Sequence, residues 1–191
     1  MRILKSSILA LGLLFSASLI FSSIAANADP QPGGDTQQAA PIKQFPLTES
    51  QVQNYIAAQK AIADVVDKLS DQQSESPSPQ LVAQLNAVAK ANKFADYAEF
   101  QHVADNVGLV LAGIDPDTKK YVGPEAVIKQ EIAEVQADKT LAAKDKQDQL
   151  DDLNDQLKSA QAVTVPANID LVLKYYDQIQ AALPKESGEQ Q

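Results

Sequence analysis

The stretch Asp96–Gly113, DYAEFQHVADNVGLVLAG, decides the fold. Tyr97, Phe100, Val103, Ala104, Val107, Val110 and Leu111 follow one another at helical spacing, which lays them along one broad side of an α-helix. Asp96 followed by Glu99 three positions on is a capping-box start, and Gly113 supplies a stop. No other helix predicted downstream of the leader is as apolar, so this one is expected at the centre of a bundle. Gly108, at the edge of the stripe, offers a neighbouring helix a close approach.

The same periodicity continues on both sides. Upstream, Thr48 and Gln51 form a second capping box. The first helix, starting at Leu47, turns Val52, Tyr55, Ile56, Ile62, Val66 and Leu69 inward and leaves Asp64, Asp67 and Asp71 to water. Serines and prolines in Gln72–Pro79 end it. A second helix runs from about Pro79 to Ala91, with Leu81, Val82, Leu85, Val88 and Ala89 inward, Pro79 in its first turn and Asn92 at its end. Downstream, Asp115-Pro116-Asp117-Thr118 reads as a turn. A fourth helix opens near Pro124 and carries Val127, Ile128, Ile132 and Val135 inward, with Glu125 and Lys129 as an i,i+4 pair. A fifth, from about Ala142 to Ala160, has only the narrow stripe Leu150, Leu153 and Leu157, so it is expected outside the core or paired with the fourth as a hairpin. A sixth, capped by Asn168, turns Ile169, Val172, Leu173, Tyr176, Ile179 and Leu183 inward and stops at Pro184. There is no strand-like alternation of useful length and no repeat of fixed period. The first, third, fourth and sixth helices are expected to supply the core.

Composition narrows the function classes. The chain has 191 residues, a net charge of −9, one His and no Cys. Without Cys there are no disulfides, thiolate metal sites or cysteine nucleophiles. One His excludes a multi-histidine metal centre. The acidic balance argues against sequence-independent nucleic-acid binding, which needs a basic face. Aromatic residues make up 5% and Trp is absent, so Leu, Val, Ile and Ala must build the core.

Arg2 and Lys5, the apolar run Ile8–Ile24 and the small-x-small triplet Ala26-Asn27-Ala28 read as a signal peptide over 1–28, cut before Asp29. An uncleaved anchor is the alternative. Removing 1–28 takes away Arg2 and Lys5 and no acid, which moves the net charge from −9 to −11. No later run reaches the ~18 apolar residues of a membrane helix. Residues 29–45, with Pro30, Pro32, Gly33, Gly34 and Pro41, read as a disordered linker. The helical domain is expected over 46–184, followed by a polar tail over 185–191.

Four groups of residues invite chemistry, each beside a plainer reading. His102, flanked by Glu99 and Asp105, could hold a weak metal ion, but it points away from the apolar stripe and reads as an exposed imidazole with acidic neighbours. Asp115 and Asp117 suggest a calcium loop, but Lys119, Lys120 and Ala126 stand where such a loop needs its later ligands and glycine, so a turn is expected. Asp148, Asp152 and Asp155 share a face of the fifth helix with Asp145 and Asp151 nearby. That face could attract cations or a basic partner, or it is a solvated surface. In Tyr175-Tyr176, Tyr176 is expected inward and Tyr175 outward, where it could meet a partner. No phosphate-binding glycine loop or nucleophile elbow is present. No catalytic, cofactor-binding or metal-ligating residue is assigned, and no cofactor.

From Leu47 through Leu183 the chain resembles a group of uncharacterised exported all-helical proteins of Gram-negative bacteria. The likeness rests on Leu47-Thr48-x-x-Gln51, Ala112-Gly113-Ile114-Asp115-Pro116 and Tyr175-Tyr176-Asp177. Leu47-Thr48-Glu49-Ser50-Gln51 is also similar to the LTxxQ motif of small periplasmic helical stress chaperones, a resemblance that implies periplasmic, chaperone-like binding. The expectation is an all-α, single-domain bundle of about six amphipathic helices. It would be exported to the periplasm or secreted, non-catalytic, and act as a binding or interaction module toward an unknown protein partner. It would touch neither nucleic acid nor, once the leader is cut, membrane. The alternatives are a carboxylate-dependent envelope hydrolase and a low-affinity cation-binding protein.

Overall fold

Two reciprocal hydrogen bonds start the first helix. Thr48 N donates to Gln51 Oε1 at 3.0 Å, and Gln51 N donates to Thr48 Oγ1 at 3.2 Å, which pairs donors that a helix start otherwise leaves open. Helix α1 spans Glu49–Ser70, α2 Pro79–Ala91, α3 Tyr97–Leu111, α4 Pro124–Ala137, α5 Ala143–Ser159 and α6 Pro166–Ala182. The computed structural model describes residues 41–70 and 79–184, the side chains of 67–70 excepted. The expected leader, residues 29–40 of the expected linker, most of the loop after α1, Asp71 and the polar tail lie outside the described residues, as do the side chains of Asp67 and Leu69. The architecture is all-α, as expected. Among the described residues, no helix is long and apolar enough to cross a membrane.

The core is drawn from α1, α2, α3 and α6, which corrects the expected set. From α2, Leu81, Leu85 and Ala89 repeat at i, i+4 and i+8 and are buried. In α4, only Pro124 and Val127 are buried. No residue of α5 is buried. Leu150, Leu153 and Leu157 are half-buried, and α5 packs against α4 as a hairpin beside the core. On α3 every expected stripe position from Phe100 to Val110 is buried. In α1 the inward seam is Tyr55, Ala58, Ile62 and Val65, spaced three, four and three, while Val66 is 40% exposed. That spacing averages about 3.3 residues, shorter than the helical 3.6, so the seam drifts off a straight helical stripe.

Caps account for most of the remaining differences. Lys93, not Asn92, takes the left-handed conformation after α2, at φ 67°. Phe94 N then donates to Ala89 O and Lys93 N to Lys90 O, each at 3.1 Å, a Schellman closure that delivers buried Phe94 to the core. Asp96 Oδ1 accepts from Glu99 N at 2.9 Å as expected, but the Glu99 carboxylate reaches Ala95 N at 2.6 Å rather than the cap's own amide.

Gly113 is needed for space and not for a left-handed turn. A Cβ there would stand 2.4 Å from Tyr121 Cε2, because a short antiparallel hairpin folds over it. Its strands β1 (Ile114–Asp115) and β2 (Lys120–Tyr121) pair Ile114 with Tyr121 and Asp115 with Lys120. Two residues per strand are too few to leave an alternation in the sequence. The glycine that uses its conformational freedom is Gly123, which precedes α4 at φ 95°.

Candidate functional site

The feature with the most specific geometry is a groove between α3 and α6 that holds the chain's own residues Ile42–Leu47. The expected linker was to extend through residue 45, yet Ile42 to Phe45 are bound into the fold. Helix α3 contributes Asn106, 2% exposed. Its Nδ2 donates to Lys43 O at 3.1 Å, and its Oδ1 accepts from Phe45 N at 3.2 Å. Helix α6 contributes Asn168, also 2% exposed. Its Nδ2 donates to Phe45 O at 2.9 Å, and its Oδ1 accepts from Leu47 N at 2.8 Å.

The same arrangement continues toward the start of the segment. Gln161, between α5 and α6, accepts from Ile42 N at 2.8 Å and donates to Ile42 O at 3.0 Å. Gln44 reverses the direction: its amide donates to Ala162 O at 2.8 Å and accepts from Thr164 N at 2.6 Å. A primary amide carries one acceptor and a donor side by side, as a peptide group does. Three side chains, Asn106, Asn168 and Gln161, therefore do for the main chain of Ile42–Leu47 what a neighbouring β-strand would do, and Gln44 does the same for the backbone of Ala162 and Thr164. Leu47 is buried and Phe45 packs against the core, so the pairing anchors apolar side chains as well.

At the end of the groove, Glu49 on α1 meets α6. Lys174 Nζ donates to Glu49 Oε1 at 2.7 Å, the Tyr175 hydroxyl donates to the same oxygen, and Gln53 Nε2 donates to that hydroxyl at 2.9 Å. The Lys174 ammonium also lies 5.2 Å from the Tyr175 ring centroid. Lys174, then Tyr175, hold the Glu49 carboxyl below the usual carboxylate range, and Glu49 holds Lys174 above the usual ammonium range. Tyr175 is 7% exposed and Tyr176 half-buried, which reverses the expected orientation. The α6 seam runs Val172, Tyr175, Ile179, one residue earlier than a seam through Tyr176.

The other sequence candidates do not converge. His102 is exposed, and Glu99 beside it is engaged by Ala95 N. Burial raises the Asp105 carboxyl, against the opposing pull of His102. Asp115 serves its turn: Oδ1 accepts from Thr118 N at 2.7 Å and Thr118 Oγ1 at 2.9 Å, which lowers its pKa. On α5, Asp148 pairs with Lys144 at 2.6 Å, Asp155 with Lys158 at 2.8 Å, and Asp151 accepts from Gln147 at 2.9 Å. Among the described residues there is no cluster of three His, Cys, Asp or Glu placed to hold a metal ion.

A cavity of about 360 Å³ opens beside Gln161, lined by Tyr121, Val122, Pro124, Glu125, Lys129 and Val163 among others. It has the size of a small-ligand cavity. Its carboxylate, Glu125, is paired with Lys129 at 3.2 Å, not with a second acid as two-carboxylate hydrolysis requires.

Sequence reasoning missed the clamp. Asn106 lies one turn from both Val103 and Val110, so a polar residue beside the most apolar stripe was the available signal. Asn168 was expected to cap α6, but Pro166 already fills the first helical position. That puts Asn168 inside the helix, with its amide free for the segment. Comparison of the chain with family models, curated proteins and solved structures gives no match.

Proposed function

We propose that the chain is a non-catalytic, exported helical protein of the periplasm that holds extended polypeptide, a chaperone-like binding module whose resident occupant is its own Ile42–Leu47. The observation that carries this reading is the set of paired bonds from Asn106, Asn168 and Gln161 to main-chain N–H and C=O groups. Main-chain recognition does not depend on side-chain identity, so such a groove suits many extended segments. The likeness of Leu47–Gln51 to the LTxxQ motif points the same way. In this chain those five residues form the end of the bound segment and the cap of α1.

A resident segment lowers apparent affinity by the fraction of time the groove stands open. The test therefore loosens it. A fluorescein-labelled peptide of sequence PIKQFPL is titrated by anisotropy into the wild-type chain and into Phe45→Ala, in which the resident segment loses its largest anchor. Binding at least tenfold tighter to Phe45→Ala, lost again on adding Asn168→Ala, supports the proposal. No binding to either chain sinks it.

A further inference from the structure

We infer that the cavity beside Gln161 is a binding site for a small zwitterion, an α-amino acid with an apolar side chain. This goes beyond the groove reading and does not need the groove to open, since Ile42–Leu47 stay seated throughout.

Much of the lining is apolar. Val122, Pro124 and Val163 face the cavity together with Tyr121. Burial raises the Tyr121 phenol, against a hydrogen bond from the Val163 main chain, so Tyr121 adds no charge to the lining at neutral pH. Val122 is 47% exposed, one of two large apolar side chains left so open among the described residues. A single exposed Val is common, but this one lines a cavity whose other apolar residues sit beside it. At about 360 Å³ the space is near the lower end for small-ligand sites, which suits one residue-sized molecule and not a length of chain.

The charges narrow the ligand further. Glu125, Ala126 and Lys129 all line the cavity, and their spacing puts them on one side of α4. The Glu125 carboxylate and the Lys129 ammonium pair at 3.2 Å, with both side chains more than half exposed. An exposed pair of this kind contributes little to stability, so each partner is available to a ligand of opposite charge. A simple cation at Glu125 would leave Lys129 unpaired, and a simple anion at Lys129 would leave Glu125 unpaired. An α-amino acid carries both charges on one carbon. Its ammonium meets Glu125, its carboxylate meets Lys129, and one exposed pair is exchanged for two. Its side chain is then left to Val122, Pro124 and Val163. Gln161 adds a fixed polar group. Its amide is held by Ile42 N at 2.8 Å and Ile42 O at 3.0 Å, and it keeps one N–H and one lone pair for the ligand.

The test is a nuclear magnetic resonance titration of the nitrogen-labelled full chain with L-leucine. The expected result is a set of saturable shifts confined to Tyr121–Lys129 and Gln161–Val163, half-complete below about 1 mM. Three relatives of leucine dissect the chemistry. Leucinamide lacks the carboxylate, 4-methylpentanoate lacks the ammonium, and glycine keeps both charges without the apolar side chain. Each should bind at least fivefold more weakly. Lys129→Gln, at an exposed position where circular dichroism should stay unchanged, should weaken leucine by a similar factor and leave 4-methylpentanoate and leucinamide no better bound than before. No saturable shift at these residues by about 10 mM leucine overturns the site. Leucinamide or 4-methylpentanoate binding as tightly as leucine overturns the zwitterion, as does a Lys129→Gln chain that binds leucine like wild type. The PIKQFPL titration probes the groove separately, so failure here leaves that reading standing.

Discussion

Replacing Asn168 by Ala tests whether the amide clamp holds the fold together. The substitution removes two hydrogen bonds, to Leu47 N at 2.8 Å and Phe45 O at 2.9 Å. The first is fully buried, so the orphaned Leu47 N–H bears its desolvation penalty of about 1–3 kcal/mol. The Phe45 carbonyl is partly accessible and should recover some of its loss from water, leaving about 0.5–1.5 kcal/mol for that bond. Ala is the better helix former by roughly half a kcal/mol. The net expectation is a destabilisation of about 1–4 kcal/mol. Urea unfolding followed by helical circular dichroism measures it, with the slope checked for constancy. Asn106→Ala should behave alike, since Asn106 is equally buried and holds the other face of Phe45. Because both amides hold one residue, the double substitution should fall short of the sum by at least about 0.5 kcal/mol. An Asn168→Ala chain within about 0.5 kcal/mol of wild type, or strict additivity with Asn106→Ala, would refute the idea that the two act as one clamp.

Four further outcomes follow from the geometry. Gly113→Ala must push a methyl group against Tyr121, so a loss of about 1–3 kcal/mol by thermal melting is expected. Gly123→Ala meets nothing within 4 Å but is strained at φ 95°, so a similar loss is expected there in the same melts. Tyr55→Phe should be neutral or slightly stabilising in the same melts, because Gln59 is the polar side chain beside the buried hydroxyl and the two do not reach good hydrogen-bond geometry. A destabilisation beyond about 1 kcal/mol would show that the oxygen is paired after all. Acid should weaken the fold through Asp115 and Glu49, whose carboxyls titrate lower folded than unfolded. The unfolded chain then binds the protons more readily, so stability present above about pH 4 is lost as pH falls through the lower folded values. Thr118→Val, which removes one of the bonds to Asp115, should flatten that acid limb in a pH series of melts.

Helix number and placement were legible because apolar spacing and caps act locally. Pro79 and Pro124 open their helices as predicted, and α5, with three leucines on one narrow side, lies on α4. What the sequence left hidden depends on partners far along the chain. Asn168 looks like a helix cap in isolation, and only the arrival of Leu47 from 121 residues away reveals its other use. Residues 42–45 read as linker because the stretch from Asp29 that leads into them is rich in Pro, Gly and Gln and holds few large apolar side chains. They are ordered by bonds to partners 61 to 123 residues away, which no local composition records. Gly113 was legible as a special position but for the wrong reason, since the ring of Tyr121 reaches it only through the hairpin.

The α4–α5 hairpin has a consequence for how the molecule comes apart. With no buried residue on α5 and only Pro124 and Val127 buried on α4, little apolar surface ties the pair to the remaining helices. Its amides should exchange with heavy water through a local opening that leaves α1, α2, α3 and α6 intact, well below the free energy of whole-chain melting. The hairpin is therefore the part of the molecule that evolution or an engineer can lengthen, recharge or replace at the least expense to the rest.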